Sequence, residues 1–502
     1  MKLAYWTGRA APQLSAFFSG VLLLLTTSCS LGPKYQRPSV PLAPSYKEAT
    51  SSSFWKPAQP KDGVVRGKWW EVYGDPQLNA LEERIDSRNQ NIVAATADYM
   101  AARAVVRLTR AQYFPTVTTS PSISNARLTA LPFAQAASGT TYTEYTFPLT
   151  ATWEPDLWGR VRNSVRASTY AAQASAADLQ NVRLLAHANL AADYFQLRGI
   201  EQQEGILEAT VVAWKNYLDL TKGLYKSGLD ADEALAAAES QLEAAQAQAT
   251  NLGIARAQYE HAIAALLGES PSSFTLGPAT MEVQLPDIPV GIPADLLERR
   301  PDIASAEKAV AEANAEIGVS KAAYFPDITL SATGGIESLS FADWFTWPSR
   351  FWSVGPAAAE TIFDAGARRA GVQQAQSVHD ATVATYRQTV LTSFQQIEDN
   401  LAALRILAVD LKQQDAAIQS AKRYLDQATA RNTAGLDPFL NVLTAQVNLL
   451  VYQQTYASFQ TQQMIASVQL VEALGGGWSA SDLPTPREVG AKAPSKSGGL
   501  VK

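Results

Sequence analysis

The chain has little of what catalytic and metal sites are built from. Its 502 residues contain one cysteine, Cys29, so it has no disulfide framework. Its three histidines lie far apart in the sequence, without the spacing of metal ligands. A net charge of −6 gives no indication of the basic stripe that nucleic-acid binding requires. We therefore expect no metal, no cofactor and no nucleic-acid partner.

Proline is missing from two long stretches, residues 156–270 and 357–437, although the chain has 26 prolines. Proline inside a helix costs ~3 kcal/mol, so both stretches predict long, continuous helices. Ala, Gln, Glu, Leu and Arg dominate them, and apolar residues recur at helical spacing. The first helix is predicted over Arg160 to Lys226, whose 67 residues would span ~100 Å at the helical rise.

What the chain does contain is an internal repeat. Tyr113-Phe114-Pro115 recurs as Tyr324-Phe325-Pro326 at a shift of 211 residues, whereas Gly159, Arg198, Gly228-Leu229-Asp230 and Gly268 recur at a shift of 207. The first copy therefore has four extra residues around its first strands, and neither helical pair contains an insertion. We assign residues 66–285 to the first repeat and 286–477 to the second. Such a duplication suits a wall better than a catalytic pocket.

Each repeat begins with a pair of predicted strands, at about 116–153 and about 327–362. Tyr145, Phe147, Leu149, Ala151 and Trp153 alternate with polar neighbours, and the second copy alternates in the same way. One apolar and one polar face are typical of a membrane barrel, although the sheets of a soluble sandwich alternate as well. We favour the barrel because only four strands accompany very long helices. Four strands cannot close a barrel, so two copies would give eight strands and three would give twelve.

The N-terminus reads as a signal peptide over residues 1–28. Lys2 and Arg9 precede an apolar run that is too short to span a membrane, and small residues precede Cys29. This resembles a bacterial lipobox with a lipidated cysteine, although Thr26 stands where leucine is usual; ordinary signal cleavage is the alternative. Residues 29–65 are predicted to form an extended Pro-rich tether, and residues 478–502 to be disordered.

Two helical hairpin tips are predicted, at residues 227–230 and 434–437. Gly228 and Gly435 suit the left-handed position that ends a helix. Asp230 followed by Glu233 reads as a capping box, and Asp437 as a helix cap with Pro438 at the first helical position. The acidic residues at the tips are explained by capping at least as well as by a functional role.

Several motifs occur together in one order along the chain. They are Cys29-Ser-Leu-Gly-Pro-Lys-Tyr-Gln-Arg-Pro38, Trp69-Trp70, Asp75-Pro76-Gln77-Leu78, the Tyr-Phe-Pro pair, Trp153-Glu154-Pro155-Asp156-Leu157-Trp158-Gly159-Arg160 and Phe363-Asp364-Ala365-Gly366. From Cys29 to about Gly477 the chain resembles TolC-like outer-membrane efflux proteins, specifically the NodT-type lipoproteins. The resemblance implies a mainly α protomer with a β membrane part. Three such protomers would form a twelve-stranded β-barrel and a tunnel of twelve helical columns.

The resemblance also implies partners and sites. The partners would be two further copies in a homotrimer, a periplasmic adaptor protein, an inner-membrane pump and outer-membrane lipid, with Cys29 as the lipid attachment site. The adaptor would contact the tips at Gly228, Leu229, Gly435 and Leu436. The candidate periplasmic gate consists of Tyr225, Asp230, Asp232, Asn432, Asp437, Asn441 and Thr444. Asn441 and Thr444 stand where many members carry a ring of aspartates, and Asn432 stands where a tyrosine is frequent.

We therefore predict an outer-membrane channel of a tripartite export system in a Gram-negative bacterium, passing small toxic compounds. The alternatives are a conduit for secreted proteins or peptides, a lipid-anchored coiled-coil stalk, and a periplasmic hydrolase. A coiled-coil stalk would not need strands in which every second side chain is apolar and can face lipid. The hydrolase would depend on the carboxylate pairs Glu154 and Asp156, Glu360 and Asp364, or Asp230 and Glu233. These lie at strand–helix junctions or at a cap, so we expect no catalysis.

Overall fold

The computed structural model describes residues 31–40, 43–48, 67–127, 141–228, 231–279, 285–286, 288 and 296–491. The predicted signal peptide, Cys29, Leu229 and Asp230 lie outside the described residues.

The chain runs through nine helices and five strands in the described part. The first copy consists of α1 (Pro76–Arg88), α2 (Gln90–Ala111), β1 (Thr116–Thr119), β2 (Ser122–Arg127), β3 (Thr141–Trp153), α3 (Arg160–Lys226) and α4 (Asp232–Leu266). The second consists of α5 (Leu296–Arg299), α6 (Pro301–Ala322), β4 (Asp327–Ser338), β5 (Arg350–Ala359), α7 (Ala367–Thr433) and α8 (Phe439–Ala473), and α9 (Pro486–Gly490) follows. Short 3-10 helices cover Trp69–Tyr73, Trp347–Ser349 and Ala480–Asp482.

The duplication is visible in the helix bounds. α7 begins and ends 207 residues after α3, α8 repeats α4 at the same shift, and α6 repeats α2 at 211. The predicted helix from Arg160 to Lys226 is confirmed at both ends, with 67 residues. None of the described helices combines the length and the apolar character that a membrane crossing requires.

The same junction joins the sheet to both long helices. Gly159 and Gly366 precede α3 and α7 with φ of 80° and 90°, a conformation that favours glycine. Asp156 accepts hydrogen bonds from the first backbone amides of α3, and Asp364 does so at the start of α7. Glu154 forms an ion pair with Arg160. These carboxylates therefore cap and brace helices, which is the structural role that the sequence favoured over catalysis.

The core lies midway along the long helices, where α4 and α8 end. Asn89 donates to the carbonyl of Leu266 at 2.8 Å, and Arg300 donates to the carbonyl of Ala473 at 2.9 Å. Each bond ties the end of one helix to the start of α2 or α6 in the same copy. Around this level Trp69, Trp70, Tyr73, Leu78, Ile85, Leu190, Tyr194, Ile263, Tyr386, Ile397 and Val468 are buried together.

The strands form one antiparallel sheet in the order β1, β3, β4, β5, with β2 also paired to β3. β3 and β4 join the two copies, from Tyr145 opposite Ser338 to Trp153 opposite Leu330. The expected first strand is interrupted between β1 and β2, where Pro121 cannot donate a ladder hydrogen bond. The sheet therefore has four strand positions built from five strands.

The N-terminal segment is more than a tether. Its described residues, 31–40 and 43–48, form no helix or strand, as expected, but they pack along α6 and α7. Arg37 donates to Tyr386 and to the carbonyl of Leu297, and Arg405 donates to Glu48. Tyr46 is buried. The prediction of a tether is wrong for these described residues, because aromatic and charged side chains between the prolines contact the helices.

The C-terminal prediction of disorder is wrong for residues 478–491. Ser479 with Asp482 and Thr485 with Glu488 form capping boxes, and Val489 is fully buried against Val106 and Ala172. Arg103 donates to three backbone carbonyls of the segment. The composition, rich in Pro, Lys and Gly, concealed these local contacts. Residues 492–502 lie outside the described residues.

Candidate functional site

The sheet has two chemically different faces. Residues that are paired across an antiparallel ladder point to the same side, so the register sorts the side chains. One face carries Val117, Phe147, Leu149, Ala151, Trp153, Leu330, Ala332, Ile336, Trp352, Val354 and Pro356. The other carries Thr116, Thr118, Thr146, Thr150, Thr152, Ser331, Thr333, Glu337 and Ser353. The predicted alternation thus extends across all four strand positions.

The apolar face is open in the single chain. Trp352 is 79% exposed and Val354 is 69% exposed. Aromatic and apolar residues continue beyond both ends of the strands: Phe341, Phe345 and Trp347 at one end, and Phe114, Ile362 and Phe363 at the other. An apolar band with aromatic residues at both borders is the pattern of a sheet in contact with lipid. It argues against a stalk that lacks a membrane part.

The two edges of the sheet are the interrupted strand β1/β2 and strand β5. In the described part of the chain, neither pairs with a further strand on its outer side. Unpaired backbone groups are not tolerated in lipid, so these edges require partners.

At the second tip, Gly435 has the predicted left-handed backbone conformation. Gly435 has φ of 71°, and Leu436 donates its backbone N–H to the carbonyl of Arg431 at 2.9 Å, which closes the end of α7. The side chain of Leu436 is 67% exposed. Asp437, however, does not cap α8: Pro438 occupies the N-cap position, without a side-chain cap.

Asp437 is instead held by α7. Its carboxylate lies 2.5 and 3.2 Å from Nε and Nη2 of Arg431, and Asn432 donates to its backbone carbonyl at 3.0 Å. The guanidinium of Arg431 lowers the pKa of Asp437. The capping prediction failed because a bidentate arginine is a stronger partner for this carboxylate than a backbone amide.

The first tip is similar. Gly228 has φ of 65° and donates its N–H to the carbonyl of Tyr225 at 2.9 Å. α4 begins at Asp232 with Ala231 at the N-cap position, so the predicted start at the cap Asp230 is one residue early. Asp232 and Glu233 then fill the first turn, where the helix dipole favours acidic side chains.

The structure brings together only some of the predicted gate residues. Asn432 and Asp437 are in contact across the second tip. Thr444 donates to the carbonyl of Leu440 in its own helix, and the backbone N–H of Asn441 bonds to Pro438. Tyr225 is 43% exposed beside the first tip. No cluster of His, Cys, Asp or Glu suited to a metal occurs among the residues that the structure describes.

Sequence reasoning missed an aromatic contact above the tips. The ring of Tyr217 on α3 stacks on that of Phe439 at the start of α8, with ring centroids 3.3 Å apart and planes at 9°. Trp214 packs edge-on against Tyr217 and is buried. The available signal was the mismatch between the copies, because Phe439 stands where the first copy has Asp232.

Comparison with known proteins decides the family. The model of the family described as outer membrane efflux protein matches residues 81–269 and 292–476. This chain belongs to the outer membrane efflux protein family. The solvent efflux pump outer membrane protein SrpC of Pseudomonas putida is 31% identical over 463 residues, covering 91% of this chain and 97% of that protein. Outer membrane protein OprJ of Pseudomonas aeruginosa is 31% identical, with coverage of 92% and 95%.

Solved structures agree with this assignment. The outer-membrane channel OprN superimposes with a TM-score of 0.83 at 29% identity, covering 90% of this chain and 100% of that one. The open-state MtrE outer membrane channel of Neisseria gonorrhoeae gives 0.78 at 26% identity, with coverage of 91% and 100%. The predicted family, its efflux function and its place in the Gram-negative outer membrane are thus confirmed.

A buried polar cluster in this efflux protein also escaped sequence reasoning. Nδ1 of His187 on α3 lies 2.6 Å from Oε2 of Glu82 on α1, and Asp86 lies 3.7 Å from Nε2. The indole of Trp70 stacks on the imidazole at 4.4 Å. The only signal was the Trp69-Trp70 motif, because His187 is distant in sequence from the residues that it contacts.

Proposed function

We propose that three copies of this efflux protein form one channel through the outer membrane and the periplasm. The observation that carries the proposal is the sheet, which has an exposed apolar face, a hydroxyl-rich face and two unpaired edges. β5 of one copy would pair with β1/β2 of the next, as β4 pairs with β3 inside the chain. The apolar face would then contact lipid and the hydroxyl-rich face would line the lumen.

The width of the barrel favours three copies over two. An eight-stranded barrel has an interior that side chains fill, whereas a conduit needs more strands. Twelve strands from three copies provide an open lumen. The long helices α3 and α7, each ~100 Å long, would continue this lumen as a tunnel of twelve helical columns.

The tips are the proposed contact with a periplasmic adaptor that links the channel to an inner-membrane pump. Gly228, Gly435 and Leu436 lie at the hairpin ends farthest from the sheet, and Leu229 is the fourth residue of the proposed contact. The exposed side chain of Leu436 supplies an apolar contact there. The proposed gate consists of residues beside the tips in the sequence: Tyr225, Asp230, Asp232, Asn432, Asp437, Asn441 and Thr444. The adaptor would open this gate by favouring a second packing of the hairpins.

Cys29 is the proposed site of lipid attachment. Gly32 packs against Gly318 and the side chain of Asn163, close to the sheet end of α3 and α6. The described segment that starts at residue 31 would therefore begin near the inner surface of the outer membrane, which fits lipid attachment at Cys29. Cys29→Ser should abolish incorporation of labelled palmitate into the protein. If the Cys29→Ser variant still incorporates the label, the assignment of the lipid attachment site is wrong.

Small toxic compounds are the proposed cargo. The relatives include outer-membrane proteins named for efflux of solvents, toluene and antibiotics. A deletion strain should become more sensitive to organic solvents or antibiotics, and the wild-type gene should restore resistance. If the deletion strain grows as well as the wild type on a panel of solvents and antibiotics, the proposal that the channel exports small molecules is overturned.

The oligomer is tested separately by the mass of the detergent-extracted particle. Light scattering with correction for detergent should give three mature chains, each lighter than the full-length 54.0 kDa by the mass of the signal peptide. A stable monomer or dimer would contradict the trimeric channel.

A further inference from the structure

A cavity of about 420 Å³ lies where the end of α4 meets α3 and the start of α2. Asn91, Asn189 and Asp193 contribute polar side chains to its wall. The apolar part of the wall comes from the last turns of α4: Ala262, Ala265 and Leu266. This size, with an apolar wall and a few polar groups, is typical of a site for a small molecule.

Asp193 is the only charged residue in the wall of this cavity. Its half-buried carboxylate has no hydrogen-bond or ion-pair partner in the described part of the chain. Burial raises the pKa of Asp193 to about 6, and no neighbouring charge acts on it. At neutral pH the group is therefore mostly ionised and uncompensated, which costs free energy. The cavity thus presents a negative charge that a bound cation would satisfy.

The second copy of the repeat contains the equivalent of this site. At the shift of 211 residues between α2 and α6, Asn89 corresponds to Arg300. Asn89 donates to the carbonyl of Leu266 at 2.8 Å, and Arg300 donates to the carbonyl of Ala473 at 2.9 Å. Leu266 and Ala473 are themselves counterparts at the shift of 207. The two sites are therefore built on the same backbone contact, but only the second contains a cation.

The other partners of the Arg300 guanidinium also have counterparts in the cavity. Nη1 donates to Oε1 of Gln396 at 3.0 Å, while Nε and Nη2 donate to Asp302 at 3.0 and 2.7 Å. Asn189 stands at the position of Gln396, and Asn91 at that of Asp302. The first copy thus keeps an acceptor at each position that the guanidinium uses, although its own N-cap residue supplies no cation.

Two further differences between the copies make room and supply charge in the cavity. In the second copy burial raises the pKa of Glu472, and the nearby Arg300 opposes this rise. Ala265 stands at the position of Glu472 and leaves this space free. Asp193 stands at the position of Asn400. The first copy therefore keeps one carboxylate, but carries it on α3 rather than at the end of α4.

We infer that this cavity binds the guanidinium group of a small organic cation, in the place that Arg300 fills in the second copy. Asp193 would accept charge-assisted hydrogen bonds, and the amide oxygens of Asn91 and Asn189 would accept the others. The planar guanidinium suits several acceptors better than an ammonium does, and the C-terminal end of α4 adds to the attraction. An apolar tail on the ligand would contact Ala262. All of these contacts lie within one chain, so the inference does not depend on the trimer.

Calorimetric titration of the detergent-extracted protein with butylguanidinium tests the site. Butylurea, which is neutral and has nearly the same shape, is the control ligand. We expect saturable binding of butylguanidinium at one site per chain at neutral pH, and no binding of butylurea. Absence of butylguanidinium binding, or equal binding of the two compounds, would overturn the inference.

Three variants locate the binding. Asp193→Asn introduces the residue of the second copy and should weaken binding at least ~10-fold, the loss expected for a hydrogen bond to a charged group. Asp178→Asn is the matched control, because Asp178 is exposed on α3 outside the cavity and should not affect binding. Asn89→Arg should place a guanidinium in the cavity and exclude the ligand.

Circular dichroism and particle mass establish first that each variant is folded. If Asn89→Arg does not fold, Asp193→Asn still decides the question, because it changes little of the shape of the side chain. Unchanged binding by Asp193→Asn or by folded Asn89→Arg would show that the ligand does not occupy this cavity. Equal weakening by Asp178→Asn would assign the effect to the overall charge of the protein and would also overturn the site.

Discussion

Nδ1 of His187 lies 2.6 Å from Oε2 of Glu82, and Trp70 stacks over the imidazole. Burial alone would lower the pKa of His187, but the carboxylates of Asp86 and Glu82 outweigh it and raise the pKa to about 9. Burial raises the pKa of Glu82 to about 7, although His187 acts against it. Both groups therefore hold protons more tightly in the folded chain than in the unfolded one.

The first prediction is a stability that falls as the pH rises. The contribution of His187 is fully present below its unfolded pKa of 6.5 and is lost as the pH passes about 9. Glu82, whose folded pKa is also raised, contributes in the same direction at lower pH. The unfolding temperature of the solubilised protein should therefore decrease from pH 6.5 to 9.

Two variants test the origin of that slope. Glu82→Ala removes one partner of a buried pair and should cost about 3–5 kcal/mol. Glu82→Met with His187→Phe replaces both partners by apolar side chains, so the pH slope should flatten while more of the stability is retained. An unchanged slope in this double variant would assign the pH dependence to other groups.

Local signals in the sequence predicted much of the fold. The absence of proline and the helical spacing placed α3 from Arg160 to Lys226, and the left-handed glycines located both tips. The period of two gave the faces of the sheet correctly. These features depend on neighbours in the sequence, which is why they could be predicted without a structure.

Contacts between distant residues could not be predicted in this way. Even over six residues at the second tip, the ion pair of Arg431 with the carboxylate of Asp437 replaced the expected helix cap. His187 and Glu82 are 105 residues apart, and apart from the Trp69-Trp70 motif no pattern in the sequence indicates the pair. Residues 478–491 looked disordered because their partner, Arg103, lies on α2. In the last two cases the deciding contacts are tertiary.

The second prediction concerns the faces of the sheet. Val354 and Ser353 are neighbours on β5 that point to opposite sides. An arginine on a lipid-facing strand costs ~2–4 kcal/mol near the membrane midplane, whereas a position facing the lumen tolerates it. Val354→Arg should therefore reduce the amount of folded protein in the outer membrane, and Ser353→Arg should not. Immunoblots of membrane fractions, run with and without heating, would measure both; equal losses would contradict the assignment of the faces.

The third prediction concerns the packed C-terminal segment. Val489 is fully buried, and its removal from water is worth ~1.5–3 kcal/mol. Val489→Asp should release residues 478–491 and expose Arg487 to trypsin, while deletion of residues 492–502 should leave the same site protected. Mass spectrometry of the tryptic fragments reports the cleavage. Equal protection of Val489→Asp and the wild type would show that this contact does not hold the segment.

The last prediction tests the second tip through its backbone. Gly435 has φ of 71°, a conformation that β-branched residues adopt poorly and asparagine tolerates. No atom lies within 4 Å of a Cβ placed there, so a substitution acts through backbone strain rather than through a clash. Gly435→Val should distort the tip and reduce efflux while membrane insertion and particle mass stay unchanged. Gly435→Asn, the matched control, should retain most activity. Dye efflux from cells expressing each variant measures the difference, and normal efflux by Gly435→Val would show that the geometry of the tip is not needed for coupling to the pump.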